Sequence, residues 1–325
     1  NNYSAQSGTV VVVPTGNQGN TDTHTEGIIE SSGYIKDIEI RVGEKQKNLP
    51  IEIWVNKPNR VKLSIVSPSG EVIDNLEAKN TNNERIKFLY EGTEMIVNFT
   101  SPELSTGDSL IFIRAYNLKA GIWKFRLTGQ SIVDGKYYAW IPQRELLDSE
   151  TKFLNSVGYT TLTLSSTSSG AISVAYYNQD DNSVISESGR GYTRYGMIKP
   201  DIAAGGFNAI VTNPGGGTAV ISGSSVAGAV VAGCCALILQ WAVVDKNYPD
   251  IYAAQIKSYI ISGAKGRPGD VYPNKEWGYG MFDMQGVFDR IRETYSPRSD
   301  EDYEEYRVNN LFIRMPKYRH NRTIN

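Results

Sequence analysis

The pattern of hydrophobic and polar residues changes twice along the chain. Residues 9–13 (Thr-Val-Val-Val-Val) form a short apolar run, which is typical of a fully buried strand in a parallel sheet. Turn-forming residues follow at 14–20 (Pro-Thr-Gly-Asn-Gln-Gly-Asn), at the carboxyl end of this strand. Because catalytic and ligand-binding groups gather at that edge of an open α/β sheet, this loop is a candidate functional segment.

Between residues 28 and 162 the pattern is that of many short strands. Alternating or continuous apolar runs recur without a helical period, and turn signals such as 68–70 (Pro-Ser-Gly) separate them. The runs lie at 38–42, 51–55, 61–66, 95–99, 110–113 and 123–127. Such a series predicts an inserted all-β module, an antiparallel sandwich or jelly roll.

An α/β pattern returns after residue 162. Short strands are predicted at 171–175 and 219–221, and helices at 226–244, 253–262 and 283–294. From residue 297 the chain is strongly charged, acidic first and basic later. We therefore divide the chain into an α/β segment (1–27), the inserted β module (28–162), a second α/β segment (163–295) and a charged C-terminal tail (296–325).

Composition narrows the class of protein. The 325 residues carry a net charge of -2, with 40% hydrophobic and 21% charged residues, which favours a soluble globular protein and gives no basic footprint for nucleic acid. The apolar run 226–244 contains Gln240 and much glycine and alanine, so we predict a buried core helix rather than a membrane span. Cys234 and Cys235 lie next to each other within it and are expected to be buried, reduced thiols.

Three serines precede this apolar helix, and their position has two interpretations. In residues 223–227 (Gly-Ser-Ser-Val-Ala), Ser225 would lie in the first helical turn, beside backbone N–H groups without intrahelical partners. A hydroxyl held there by a rigid core is a candidate nucleophile. Alternatively, Ser222, Ser224 and Ser225 only cap the helix.

Three further segments accompany the serines in a fixed order. They are 14–19 (Pro-Thr-Gly-Asn-Gln-Gly), 199–205 (Lys-Pro-Asp-Ile-Ala-Ala-Gly) and 277–280 (Trp-Gly-Tyr-Gly). Together the four segments resemble the motifs of the subtilases, a family of serine proteases, over residues 5–25 and 164–292. The resemblance implies that Ser225 is the nucleophile and that Asn17 donates to the oxyanion, although Asn17 alone would be an ordinary turn asparagine. Ala204 and Ser224 replace the family's usual Pro and Thr.

In subtilases the catalytic residues occur in the order Asp, His, Ser, as in subtilisin itself. Both Asp and His precede the oxyanion asparagine, so the resemblance places them in an N-terminal half, with the prodomain, that would be a partner of this chain. The start of the chain, without an initiator Met or the features of a signal peptide, suggests a processed piece. His24 is expected in a surface-like turn and His320 in the tail, so neither is a general base and the chain alone is expected to be inactive.

The predicted fold class is therefore a subtilisin-like α/β fold, with a mostly parallel sheet and helices but without its N-terminal half, plus an inserted jelly-roll-like domain. The insertion, and Ala229 where Pro is usual, resemble the Csp subtilases of clostridia. That resemblance implies a spore-associated endopeptidase that activates the proform of a cortex-lytic hydrolase by limited proteolysis. Because some Csp proteins have lost triad residues, a catalytically inactive pseudoprotease acting as a regulatory or binding scaffold is the alternative.

The sequence contains candidates for two other kinds of site. The β module could bind carbohydrate or protein, but its aromatic residues are expected mainly in the core; they are Trp54, Trp123, Tyr137, Tyr138 and Trp140. Residues 180–182 (Asp-Asp-Asn) and the acidic run 300–305 lack the spacing of a calcium loop and are expected to be solvated. No cofactor and no metal site is predicted.

Overall fold

A computed structural model describes residues 6–77 and 83–295, together with the backbone of 303–308 and 311–316. In chain order, its strands are β1 (Val12–Pro14), β2 (His24–Ile28), β3 (Ile35–Val42), β4 (Asn48–Val55), β5 (Arg60–Val66), β6 (Val72–Leu76), β7 (Asn83–Lys87), β8 (Glu94–Thr100), β9 (Ser109–Tyr116), β10 (Gly121–Ser131), β11 (Lys136–Trp140), β12 (Lys152–Phe153), β13 (Ile172–Asn178), β14 (Ser183–Val184), β15 (Ile202–Gly205), β16 (Ala209–Thr212), β17 (Thr218–Ile221), β18 (Tyr303–Val308) and β19 (Leu311–Pro316). The helices are α1 (Ser224–Leu239), α2 (Ala253–Ser262) and α3 (Met284–Tyr295), with a π-helical turn at Gln240–Val244 and 3₁₀ turns at Arg144–Leu146 and Leu164–Thr167.

The α/β part is organised around β13. This strand pairs in parallel with β1 on one side and with β15 on the other, and β14 pairs antiparallel with its end. Alternate residues of β13 face opposite sides of the sheet: Val174 packs into the core shared with α1, whereas Ala175 packs with Ala203 and Trp277. The predicted mostly parallel sheet with helices is confirmed.

Two strands of this part differ from the sequence prediction. The run at 9–13 was predicted to be fully buried, but β1 is half-buried because β13 is its only strand neighbour among the described residues. The predicted strand at 219–221 lies in β17, which forms an antiparallel hairpin with β16 rather than joining the parallel sheet. Gly215, Gly216 and Gly217 have positive φ and make the turn of this hairpin possible.

The inserted module consists of two antiparallel sheets. One has the order β12-β3-β10-β5-β6 and the other β2-β11-β4-β9-β8-β7. Alternate side chains of each strand point inward, as with Leu49, Ile51, Ile53 and Val55 of β4, and one hydrophobic core contains residues of both sheets. The prediction that the insertion is an all-β module is thus confirmed. It begins earlier than predicted, because β2 pairs with β11 and the boundary after residue 27 falls inside β2.

The segment 199–205 has a structural role at the base of β15. Asp201 is buried, and its Oδ2 accepts hydrogen bonds from Lys199 Nζ (2.7 Å) and the backbone N of Ser173 (2.7 Å). Its Oδ1 pairs with Lys257 Nζ of α2 at 2.7 Å. Burial lowers the pKa of Lys199 from 10.5 to about 8. Because this lysine holds its proton less tightly in the folded protein, its contribution to stability rises as the pH rises from about 8 towards 10.5.

Helix α1 is buried on one face only. That face packs on β1, β13 and β15. The other face exposes an apolar surface that includes Val230 and Leu237, which are 48% and 49% exposed. Residues Ser224–Val244 are also long and apolar enough to cross a membrane, by length and composition alone. The helix was predicted to be a buried core helix, and that prediction fits only half of it, because the described residues supply a packing layer on one side.

The C-terminal tail is described only as a backbone hairpin of β18 and β19. The rest of the predicted charged tail, with His320 and the beginning of the acidic run, lies outside the described residues.

Candidate active site

Helix α1 begins at a glycine. Gly223 is the N-cap residue and has a φ of 145°, in the region that favours glycine. Its N–H donates to the carbonyl of Gly206 at 2.8 Å. A Cβ at this position would lie 3.4 Å from Asn17 Nδ2. That distance is an ordinary van der Waals contact, so the positive φ, and not a lack of space, favours glycine at the start of α1.

Asn17 caps α1 from a distant part of the chain. Its Oδ1 accepts hydrogen bonds from the backbone N and the hydroxyl of Ser224, both at 3.1 Å. The Ser224 hydroxyl, on a residue only 1% exposed, also accepts from the backbone N of Gly16 at 3.0 Å. The alternative interpretation, in which the serines cap the helix, is therefore wrong for Ser224. Asn17 instead accepts the hydrogen bond from the first N–H of α1, and the Ser224 hydroxyl binds the loop that carries Asn17.

Ser225 lies beside this contact, in the first turn of α1 and exposed to solvent. Its backbone N–H belongs to the first turn, where N–H groups lack intrahelical acceptors. Within the described part of the chain its hydroxyl makes no hydrogen bond. Since Asn17 Oδ1 is engaged by Ser224, the Nδ2 group of Asn17 remains available as a donor near Gly223. The structure thus brings Asn17 and Ser225 to one place, while their catalytic roles stay predictions.

The arrangement suits negative charge on a substrate oxygen. Two N–H donors, Asn17 Nδ2 and the backbone N of Ser225, lie at the N-terminus of a long helix, where the helix dipole is positive. Fixed donors of this kind stabilise an oxyanion because they need not reorganise when the charge develops. The exposed hydroxyl of Ser225 is adjacent to them and accessible to a substrate.

His24 does not lie in a surface turn, as the sequence suggested. It is 1% exposed in β2, with Nδ1 2.8 Å from the carbonyl oxygen of Ala139 and Nε2 3.3 Å from Glu26 Oε2. Its ring stacks on Trp140 with 4.4 Å between centroids. The polar segment that looked like a turn is a strand covered by this aromatic neighbour. No histidine of the described residues is therefore available as a base for Ser225.

Three aromatic residues of the module lie outside its core, although the sequence analysis expected these residues mainly inside it. Trp54 lies under the guanidinium of Arg194 (4.2 Å to the ring centroid), and the Tyr138 hydroxyl donates to the Arg194 carbonyl at 3.3 Å. Trp140 Nε1 donates to the carbonyl of Thr160 at 3.3 Å. Trp54 and Tyr138 therefore hold the module against the α/β part, and only Trp123 and Tyr137 are fully buried.

The acidic segment 180–182 shows no arrangement for a metal. The Asp181 carboxylate accepts a hydrogen bond from the backbone N of Ser183 at 2.9 Å, and so stabilises the turn before β14. Within 6–77 and 83–295, no group of three or more His, Cys, Asp or Glu side chains could hold a metal ion.

Comparison with known proteins agrees with this fold. Residues 152–280 match the model of the subtilase family, Peptidase S8. The CspB protease of Clostridium perfringens is 28% identical, with a TM-score of 0.84, and the match covers 92% of this chain and 62% of that one. Subtilisin-like protease SBT6.1 of Arabidopsis thaliana is 30% identical over 172 residues, which are 49% of this chain and 16% of the plant protein.

The described residues therefore have a subtilisin-like fold with an inserted β module. The match to the subtilase family covers residues 152–280, and the chain spans less than two thirds of the length of either relative.

The contact between Asn17 and Ser224 predicts a stability difference between two neighbouring serines. Ser224→Ala leaves the backbone N of Gly16 without its acceptor, so we expect a loss of about 1–3 kcal/mol in the free energy of unfolding. Ser224→Thr keeps the hydroxyl and should recover most of it. The control is Ser222→Ala, which removes an exposed hydroxyl bonded to Asn208 and should cost no more than about 0.5 kcal/mol. Equal losses for the two alanine variants, measured by denaturant unfolding, would contradict the proposed contact.

Proposed function

We propose that this chain carries the nucleophile and the oxyanion donors of a subtilisin-like serine endopeptidase. The observation that carries the proposal is the orientation of Asn17: Ser224 engages its Oδ1, so its Nδ2 is free to donate beside the exposed Ser225. The match of residues 152–280 to the subtilase family and the likeness to CspB support the same class of reaction. The catalytic Asp and His are proposed to come from a segment N-terminal to this chain, so the chain alone is inactive.

The proposed reaction follows from these positions. Ser225 Oγ attacks the carbonyl carbon of a peptide bond while its proton passes to the histidine of the N-terminal segment. The carbonyl oxygen becomes an oxyanion that accepts hydrogen bonds from Asn17 Nδ2 and the Ser225 backbone N. The C–N bond then breaks, the amine leaves with the proton, and water hydrolyses the acyl-enzyme. Loss of one oxyanion donor costs about 10²–10³ in turnover, a magnitude that comes from subtilisin itself.

We further propose a biological setting from the resemblance to the Csp proteases. The enzyme would be spore-associated and would activate the proform of a cortex-lytic hydrolase by limited proteolysis. The likeness to the CspB protease over most of this chain supports this setting. A pseudoprotease with the same fold would act as a binding scaffold instead. Covalent labelling of the complete protein distinguishes the protease from the scaffold.

The first test is covalent labelling with a fluorophosphonate probe. Residues 1–325 alone should not react, because an unassisted serine hydroxyl is protonated near neutral pH. Co-expression with the N-terminal half should restore labelling. Ser225→Ala should abolish it, whereas the neighbouring Ser222→Ala should leave it unchanged. A complete protein that binds its partners but never labels would favour the scaffold function.

The N-terminal half is also proposed to cover the exposed face of α1. That face is apolar over Ala229, Val230, Ala232, Ala236 and Leu237, whereas the opposite face packs on the sheet. At about 25 cal/mol per Å², burying roughly 400 Å² of such surface contributes about 10 kcal/mol. This is comparable with the net stability of a whole domain, about 5–15 kcal/mol. The two halves should therefore stay associated even after the backbone between them is cut.

Association can be tested with two exposed leucines. Leu237 lies on the exposed face of α1, and Leu104, which is 99% exposed, lies between β8 and β9 of the module. We expect Leu237→Lys to weaken co-purification of the N-terminal half and Leu104→Lys to leave it unchanged. Residues 1–325 expressed alone should be poorly soluble. A soluble monomer of this chain with one sharp thermal transition would contradict the need for a partner.

A further inference from the structure

The loop that carries Asn17, residues 16–19, is fixed to the α/β part at both ends. The backbone N of Gly189 donates to the carbonyl of Gly16 at 2.8 Å, and the backbone N of Gly19 donates to the carbonyl of Glu187 at 3.0 Å. Gly19 lies so close to this segment that a Cβ would come within 2.2 Å of the Ser188 carbonyl oxygen. Between these two anchors, Asn17 and Gln18 are held through their side chains.

The two side chains are held in different parts of the molecule. Asn17 Oδ1 accepts from Ser224 at the start of α1. Gln18 instead engages the 3₁₀ turn Arg144–Leu146, which lies between β11 and β12 of the β module. Its Oε1 accepts from the backbone N of Arg144 at 2.9 Å, and its Nε2 donates to Glu145 Oε2 at 3.0 Å.

The turn that receives Gln18 is itself anchored to the module. The Arg144 guanidinium donates to the carbonyls of Thr151 and Asp148. The backbone N of Asp148 donates to Gln46 Oε1 at 2.8 Å, and the Asp148 carboxylate accepts from the backbone N of Lys45 at 3.0 Å. Residues 45 and 46 lie between β3 and β4, so Gln18 is connected to both sheets of the module.

We propose that Gln18 is a positioning residue that ties the Asn17 loop to the β module and fixes the direction of the Asn17 amide. Asn17 and Gln18 are joined by one peptide group, so a rotation of this group that moved Gln18 away from Arg144 and Glu145 would also turn Asn17 relative to α1. The module thereby contributes to the oxyanion site without a residue of its own touching the substrate. This inference rests on the proposed protease function.

The first experiment compares two glutamine–glutamate pairs in the complete protease. Gln18→Ala removes the tether, and we expect kcat for a peptide p-nitroanilide to fall about tenfold, less than the loss of a whole oxyanion donor, with KM within about twofold. The matched control is Gln130→Ala, because Gln130 Nε2 donates to Glu77 Oε1 at 3.3 Å within the module. Its kcat should equal that of the wild type. An unchanged kcat in Gln18→Ala would overturn the proposal.

A second experiment separates positioning from a loss of stability. Gln18→Glu places a carboxylate beside Glu145, so its kcat relative to wild type should fall as the pH rises from 5 to 8, because the two ionised groups repel. Adding Glu145→Gln restores a donor for the new carboxylate and should restore kcat across this range. Failure of the double variant to recover, with unfolding temperatures unchanged, would overturn the tether.

The tether can also be tested without activity, so that its failure is distinct from failure of the proposed function. The side-chain amide signal of Asn17 in ¹⁵N NMR of the complete protein should shift or broaden in Gln18→Ala and stay unchanged in Gln130→Ala. If the wild type neither labels nor cleaves but this shift is seen, the proposed function fails and the tether stands. If the wild type is active and the Asn17 signal is the same in both variants, only the tether fails.

Discussion

The hydrogen bonds from Ser224 to Asn17 join residues 207 positions apart, and the geometry of the candidate site depends on them. The β module lies between these residues in the chain, so they can meet only if the module begins and ends at one place. The structure meets this condition: the backbone N of Ile141 donates to the carbonyl of Thr23 at 3.1 Å, and that of Thr163 to the carbonyl of Thr15 at 2.9 Å. A domain whose ends lie close together can be inserted without separating the strands on either side of it.

Side-chain contacts also fix the module to the α/β part. Arg194 is enclosed by Trp54 and Tyr195 and pairs with Asp108 at 2.7 Å, although Asp108 belongs to the module and Arg194 to the α/β part. Removing either partner of an ion pair with little solvent exposure destabilises the fold, because the other charge is left buried without a partner. Together with Gln18, this contact gives the module a fixed orientation relative to the start of α1.

Sequence patterns identified elements where the pattern was strong. Helix α2 was predicted at 253–262 and has those bounds, and the longer strands of the module were found from their alternation. Strand β2 was missed because its sequence, His-Thr-Glu-Gly-Ile, has no apolar alternation, and its burial comes from aromatic residues of β11 that are more than a hundred positions away. The apolar sequence of α1 predicted that the helix must be covered by protein, but it did not show which face the described residues cover.

The candidate site also has features that the sequence could predict and features that it could not. Ser225 and the asparagine at position 17 could be recognised because the segments around them resemble the ordered motifs of the subtilases. The capping of α1 by Asn17 and the contact of Gln18 with Arg144 could not, because both depend on tertiary packing between distant segments.

A crystal structure of the complete protease with a peptide boronic acid tests most directly whether Ser225 and Asn17 form one catalytic site. We expect boron bonded to Ser225 Oγ, with one boronate oxygen within hydrogen-bonding distance of both Asn17 Nδ2 and the Ser225 backbone N. A boronate bound elsewhere, or bound to Ser225 with Asn17 turned away from it, would contradict this site.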